Sequence, residues 1–356
     1  MNQITNSCCA EVTSCCSDTT SVVDTLKESI ETVSATLSIA DMLGAWKVRW
    51  GIGRMEYTVE PGLYAVGKPD EDSPVLVSAN YKLTFDMLRQ NLSGLDCWLL
   101  ILDTDGINVW CAAGKGTFGT EELVNRITQS GLAEIVSHRQ LVLPQLGAPG
   151  INIHEIVKRT GFSVIFGPVR AKDIKAFIAT GYRATEEMRL VQFSFWDRLV
   201  LVPMEFVPAM QSSLPVLGAL LLSNQIAARP FDKIDVASYT GAAIAGSVLT
   251  PMFLPYIPGK AFSLKGWLLG LSWVVGFLAF CRRFSKGNLL HSAAQVLLFP
   301  AISAFFAMNF TGSSTYTSPS GVKKEMERAM PLIGVAAAIG SVMLLISHLF
   351  SGRNEK

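Results

Sequence analysis

Five long apolar stretches crowd the second half of this chain, and they constrain its fold more than any other feature: Leu199–Leu222, Val236–Leu254, Leu264–Phe280, Leu289–Phe310 and Pro331–Phe350. A helix needs about 20 such residues to cross a bilayer core, and most of these approach or exceed that length. The third is short enough to stand upright. Gly266-x-x-x-Gly270 and Gly241-x-x-x-Ala245 are small-residue pairs that let helices approach closely. Glu205 is an acid well inside a span, between Pro203 and Pro208, which makes it a functional candidate. It lies about two turns from the expected start of its helix, where a long side chain can reach the interface. Basic residues divide evenly between the two sets of loops, so charge does not orient the spans.

The first half reads differently. Between Val75 and Thr180, continuous apolar runs at Val75–Asn80, Trp98–Asp103, Leu141–Leu143 and Ser163–Val169 alternate with helical patterns at Phe85–Leu92, Thr120–Ser130, Ile151–Arg159 and Asp173–Thr180. Such alternation predicts a parallel sheet covered on both faces. Thr120 followed by Glu121 and Glu122 is a good helix start, with acids at the positive end of the dipole. Residues 1–40 are rich in Ser and Thr, with Cys8-Cys9 and Cys15-Cys16 pairs and one weak helical pattern near Val22–Leu37. The expected architecture is an α/β doubly wound, Rossmann-like domain at 51–190, then an all-α domain of five transmembrane helices at 199–350. A mobile tail at 1–50 precedes both.

The net charge of +1 offers no basic stripe for nucleic acid. Seven cysteines contain no C-x-x-C pair, so neither a zinc site nor an iron–sulfur cluster is expected. The start of the chain has no basic segment followed by an apolar one, so no cleaved signal peptide is expected. Reduced thiols and an α/β pattern together place the first domain in the cytoplasm and the chain in the inner, cytoplasmic membrane.

Asn108-Val109-Trp110-Cys111-Ala112-Ala113-Gly114-Lys115-Gly116 is the segment that carries chemistry. It leaves the second predicted strand at the edge where open α/β sheets bind ligands. One thiol meets small residues, backbone N–H groups and a lysine, surroundings that favour the thiolate form that binds soft metals. The alanines and glycine suggest that something flat approaches the backbone. Gly114-x-Gly116-x-x-Gly119 matches a dinucleotide fingerprint, but too far from its strand and on the wrong strand. Gly116 stands where a P-loop needs Ser or Thr. No G-x-S-x-G elbow is present, and His138, His154, His291 and His348 read as surface or interface histidines outside any cobalamin-binding motif.

Three segments, Ser78–Asp86, Asn108–Gly119 and Gly167–Asp173, resemble the corrinoid domain of the corrinoid iron–sulfur proteins of the acetyl-CoA pathway. A cysteine within the cap-helix segment, followed by five spans, resembles the HgcA family of mercury-methylating corrinoid proteins. That resemblance implies a base-off, cobalamin-type corrinoid with its cobalt above Cys111, the lower axial ligand and catalytic residue. It implies that Asn108, Val109, Trp110, Cys111, Ala112, Ala113 and Gly114 lie against the corrin. Ser78, where the family commonly has Thr, and Thr84 and Ala171 would bond its amides or displaced tail. The implied activity is a corrinoid-dependent methyltransferase passing methyl from methyl-cobalt(III) to inorganic Hg(II). An electron-rich thiolate assists that transfer, because Hg(II) takes methyl as a carbanion equivalent. Implied partners are an HgcB-like two-cluster ferredoxin as electron donor, a methyltetrahydrofolate-dependent methyl donor protein and the lipid bilayer. The alternative is a membrane-anchored methyl carrier of one-carbon or acetyl-CoA metabolism. A third class is a metal transporter with a regulatory α/β domain.

Overall fold

In a computed structural model, the chain divides into two compact units, Met1–Val48 with Gly53–Val191 and Arg49–Ile52 with Gln192–Lys356. Residues 30–225 and 230–350 are the described ones; Cys8, Cys9, Cys15, Cys16 and the first part of the weak helical pattern at Val22–Leu37 lie outside them.

The first unit is built on a six-stranded sheet: β1 (Thr32–Val33), β2 (Gly62–Val66), β3 (Val75–Ala79), β4 (Cys97–Leu102), β5 (Gln140–Leu143) and β6 (Ser163–Phe166), in spatial order β1-β2-β4-β3-β5-β6. β3 runs parallel to β4 and β5, and β5 to β6. Every residue of β3 and β4 is buried, as strands covered on both faces require. Side chains alternate between two cores: Val75, Val77 and Leu100 join Phe118, Leu123 and Ile156, while Leu76, Leu99 and Ile101 join Phe85, Leu88 and Phe177. Full burial of each such side chain contributes about 1.5–3 kcal/mol.

The sheet is mixed rather than wholly parallel. β2 pairs antiparallel with β4, and β1 parallel with β2. β2 and β3 flank β4 on opposite sides, and the residues 67–74 that join them are too few for the crossover of about a dozen residues that two strands running the same way need.

Its helices are α1 (Ile39–Arg49), α2 (Lys82–Asn91), α3 (Val109–Lys115), α4 (Thr120–Gln129), α5 (Leu132–Ile135), α6 (Ile153–Thr160), α7 (Ile174–Ala179) and α8 (Glu186–Arg189). The four helical patterns read between strands appear as α2, α4, α6 and α7. The expected tail at 1–50 needs correction at its end, because β1 and α1 belong to the folded unit. Ion pairs hold them there. Asp41 of α1 bonds Lys82 Nζ at 2.7 Å and Arg89 at 2.7 Å, and both cations also bond the buried Asp86. Arg89 further donates to the carbonyls of Ser34 and Thr36. The Lys82 bond, reinforced by Ser38 and Arg89 against the effect of burial, holds the Asp41 carboxyl well below its usual range. Burial pulls Lys82 down, but its bonds to Asp41 and Asp86 outweigh this and raise it.

The second unit is helical: α9 (Phe195–Ser223), α10 (Lys233–Ile244), a π segment at Ala245–Leu249 leading into α11 (Thr250–Phe253), α12 (Phe262–Phe280), α13 (Leu289–Asn309) and α14 (Pro319–Phe350). Capping boxes start two of them, Ser194 with Asp197 and Asp232 with Asp235. Among the described residues, five segments are long and apolar enough to cross a membrane: Phe195–Ala219, Lys233–Phe253, Phe262–Phe280, Leu289–Ser313 and Ser320–Leu349. Each contains most of one apolar stretch read from the sequence. The small-residue pairs sit at close contacts. A Cβ on Gly266 would lie 2.3 Å from that of Ala307, and one on Gly241 would lie 2.0 Å from the Trp273 ring. Glu205 accepts a 2.8 Å hydrogen bond from Ser313. His291 and His348, read as surface or interface histidines, are buried between helices; His291 bonds Asp235 at 3.0 Å, and Gln295 donates to the same carboxylate at 2.6 Å.

Candidate functional site

The parallel strands β3 to β6 end on one edge of their sheet, where folds of this kind bind ligands. At that edge β3 runs through Asn80 into α2, and β4 runs through the 103–107 loop into α3. Asn80 organises that loop. Its Oδ1 accepts from Thr104 N–H at 3.0 Å and Gly106 N–H at 3.2 Å, and its Nδ2 donates to Asp103 at 3.1 Å. The Thr104 hydroxyl lies 2.8 Å from Asn80 Oδ1 and 2.7 Å from the Ile107 carbonyl, with one proton to share. Glu122 of α4 accepts the Asp103 N–H at 2.8 Å and pairs with Arg126. Glu122 thus does more than favour the start of its helix: it ties the loop down.

The loop delivers α3, a two-turn helix. Asn108 is its N-cap, and its side chain accepts the backbone N–H of Cys111 at 2.9 Å. Gly116 ends it in the left-handed region at φ 90°, donating to the Ala112 carbonyl at 2.8 Å. Gly119 opens α4 so close to this turn that a Cβ would lie 2.7 Å from the Gly116 carbonyl oxygen. The glycine pattern that mimics a dinucleotide fingerprint therefore serves a helix end and the next helix start.

α3 has two faces. Val109, Ala112 and Ala113 point into the core, at 7%, 0% and 8% exposure, whereas Trp110, Cys111, Gly114 and Lys115 are exposed. Val109, Ala112 and Ala113, which the resemblance sets against a corrin, thus lie on the core side of α3. Their small size answers instead to the turn at Gln145–Gly150, where a Cβ on Gly150 would sit 2.1 Å from the Phe118 carbonyl oxygen and 3.4 Å from Ala113 Cα. Gly114 differs. A Cβ there would meet nothing within 4 Å, so its bareness is not required by packing.

The remaining sequence-derived residues fall around the same edge. Ser78 is buried near the end of β3, opposite Ile101 of β4. Thr84 is half-buried in the first turn of α2, and Ala171 is half-buried where a short turn follows β6. Among the described cysteines, Cys111 is the exposed one, while burial pushes the Cys97 thiol up to about 12 with Asp96 adding to the effect. Cys97 also begins β4, at the far end of the strand from this edge. No group of three metal-ligating side chains gathers among the described residues, which leaves Cys111 as a single donor. A cleft lined by Thr32, Val33, Tyr64, Lys82 and Arg89 borders β1. Sequence reasoning missed Asn80 and Thr104; a polar residue closing an apolar strand was the available signal.

The family described as CO dehydrogenase/acetyl-CoA synthase delta subunit matches residues 45–178. The acetyl-CoA decarbonylase/synthase complex subunit gamma of Methanocaldococcus jannaschii is 34% identical over 134 residues, covering 36% of this chain and 26% of that protein. The gamma subunit of Methanopyrus kandleri is 36% identical over 122 residues, covering 34% of this chain and 26% of that protein. The chain thus spans about a quarter of the length of these curated relatives. The family match runs from within α1 to within α7 and includes the residues of the candidate site.

Proposed function

We propose that the α/β unit binds a corrinoid against the outward face of α3, with Cys111 below the cobalt, and that the chain is a corrinoid-dependent methyl-transfer protein. The phase of α3 carries this reading. Cys111 and Gly114 lie one turn apart on its open side, so a thiol and a bare backbone stand together. A flat group can come down onto that surface, with Trp110 beside it as apolar cover. Ser78, Asn108 and Ala171 border the same edge, while Val109, Ala112 and Ala113 support it from below.

Bound there, a corrinoid supplies a cobalt centre that accepts and hands on methyl groups. The chain's own contribution is to offer a soft, electron-rich donor and to hold it still. Asn108 fixes the turn that carries Cys111, and Asn80 fixes the loop that carries Asn108. Gly114 keeps the approach clear.

Similarity to acetyl-CoA decarbonylase/synthase gamma subunits favours a methyl carrier of one-carbon or acetyl-CoA metabolism. The exposed Cys111 supports a second reading, in which inorganic Hg(II) is the methyl acceptor. In either case the five apolar helices hold the protein in the cytoplasmic membrane. A two-cluster ferredoxin would supply electrons, and a methyltetrahydrofolate-dependent protein would supply methyl.

The test is a visible spectrum of the full chain, purified anaerobically and loaded with cobalamin. Wild type should show a base-off corrinoid whose bands shift in Cys111→Ala; identical spectra would overturn the ligand role. Offering the protein, now loaded with methylcobalamin, to Hg(II) and to an acetyl-CoA synthase in parallel then separates the acceptors. Methylation of the synthase alone selects the carrier.

A further inference from the structure

α1 is built inside out for a helix on a soluble domain. Asp41, Gly44 and Val48 face the sheet unit: Asp41 pairs with Lys82 and Arg89, Val48 is buried, and a Cβ on Gly44 would lie 2.4 Å from the Tyr57 hydroxyl. The opposite face carries Ile39, Met42, Leu43 and Trp46 at 73%, 54%, 55% and 56% exposure. At about 100° per residue these four fall within an arc of roughly 100°, and the exposed Lys47 stands on one border. A contiguous apolar stripe that the fold turns outward marks an interaction surface.

We infer that this stripe lies in the headgroup region of the bilayer, as a second membrane attachment of the α/β unit. An apolar arc bearing Trp with a basic residue at its margin is the composition of an interfacial helix, the cation meeting anionic headgroups. The same chain carries five helices long and apolar enough to cross a membrane, so the surface that would cover the stripe is tethered to it. This inference rests on the membrane reading above. α1 is fixed to its unit by the Asp41 ion pairs, so its apolar face binds as a preformed surface and loses little freedom on docking.

Tryptophan fluorescence tests it, using the full chain reconstituted in phosphatidylcholine–phosphatidylglycerol vesicles with and without bromine-labelled acyl chains. The chain has seven tryptophans, so the Trp46 emission is taken as the difference between wild type and Trp46→Phe. Trp267 and Trp273, partly exposed on α12, serve as internal controls for spanning. Shallow bromines should quench the Trp46 emission by about twofold or more, and deep bromines less, as for a helix at the headgroup boundary. Leu43→Glu, which places a charge inside the stripe, should relieve that quenching while leaving the Trp46 emission visible. If bromolipid quenches only the control tryptophans, the inference is overturned and the spanning reading stands. Shielding of Trp46 from both bromolipid and aqueous iodide would assign the stripe to protein, either residues 1–29 or a second copy. Absence of quenching at every tryptophan would remove both readings.

Discussion

The side-chain oxygen of Asn108 accepts the backbone N–H of Cys111 at 2.9 Å, so the residue that begins α3 also fixes the peptide bearing the exposed thiol. A helix of two turns has little cooperativity of its own and depends on such a cap. Replacing Asn108 with Ala should cost about 1 kcal/mol of stability and loosen the cap helix. Thermal unfolding of the detergent-solubilised chain measures the first effect and cobalamin titration the second. Asn108→Asp should retain most of both.

Gly114 separates packing from ligand access. Nothing lies within 4 Å of a Cβ at this position, so Gly114→Leu should leave stability unchanged or raise it by up to about 1 kcal/mol. The same side chain would stand where the flat group approaches. Cobalamin affinity should fall by about tenfold or more, equivalent to about 1.4 kcal/mol. A Gly114→Leu protein that binds cobalamin as wild type does would move the ligand away from this face.

Asn80 should be among the least replaceable polar residues of the unit. Its Oδ1 receives two backbone N–H groups, from Thr104 and Gly106. Asn80→Ala leaves both buried donors unmatched, at about 1–3 kcal/mol each. The expected result is a lower melting temperature together with lost corrinoid binding. Asn80→Asp keeps the acceptor but sets a second carboxylate against Asp103, so it should recover only part of the stability.

Acid should detach α1 before the sheet core unfolds. The folded Asp41 carboxyl is held below its ordinary 3.8, chiefly by Lys82. A depressed carboxylate contributes stability that is fully present above 3.8 and is lost as the pH falls below it toward the folded value. Protection of the α1 amides, taken relative to their intrinsic exchange rate at each pH, should therefore be unchanged from neutral pH down to about 4.5 and fall below that. Asp41→Asn should show the low protection at every pH.

Thiol chemistry should distinguish Cys97 from Cys111, the two described cysteines of the α/β unit. Cys111 is exposed, while burial holds the Cys97 thiol near 12. In the folded protein iodoacetamide should alkylate Cys111 and spare Cys97, read by peptide mass spectrometry. Added cobalamin should protect Cys111. Denaturant should expose both.

The sequence by itself determined the large elements. Runs such as Val75–Ala79 and Cys97–Leu102 are apolar throughout because both faces of a central strand are covered, and the five long apolar segments of the second unit declare themselves by length alone. It also singled out the Asn108–Gly116 segment and its cysteine. Only the tertiary structure decided which way that segment turns. Two helical turns carry too little periodicity to fix a phase, and the phase comes from the Gln145–Gly150 turn packed against Ala113 and Phe118. Hence Ala112 and Ala113 answer to the core, and Gly114 to the open side. The same holds for β1 and α1, whose composition reads as a loose tail. Their place depends on Asp41 meeting Lys82 and Arg89, more than forty residues further along the chain, a contact with no local signature. Local patterns record what a segment must bury, and only the folded chain brings together the distant partners it is buried against.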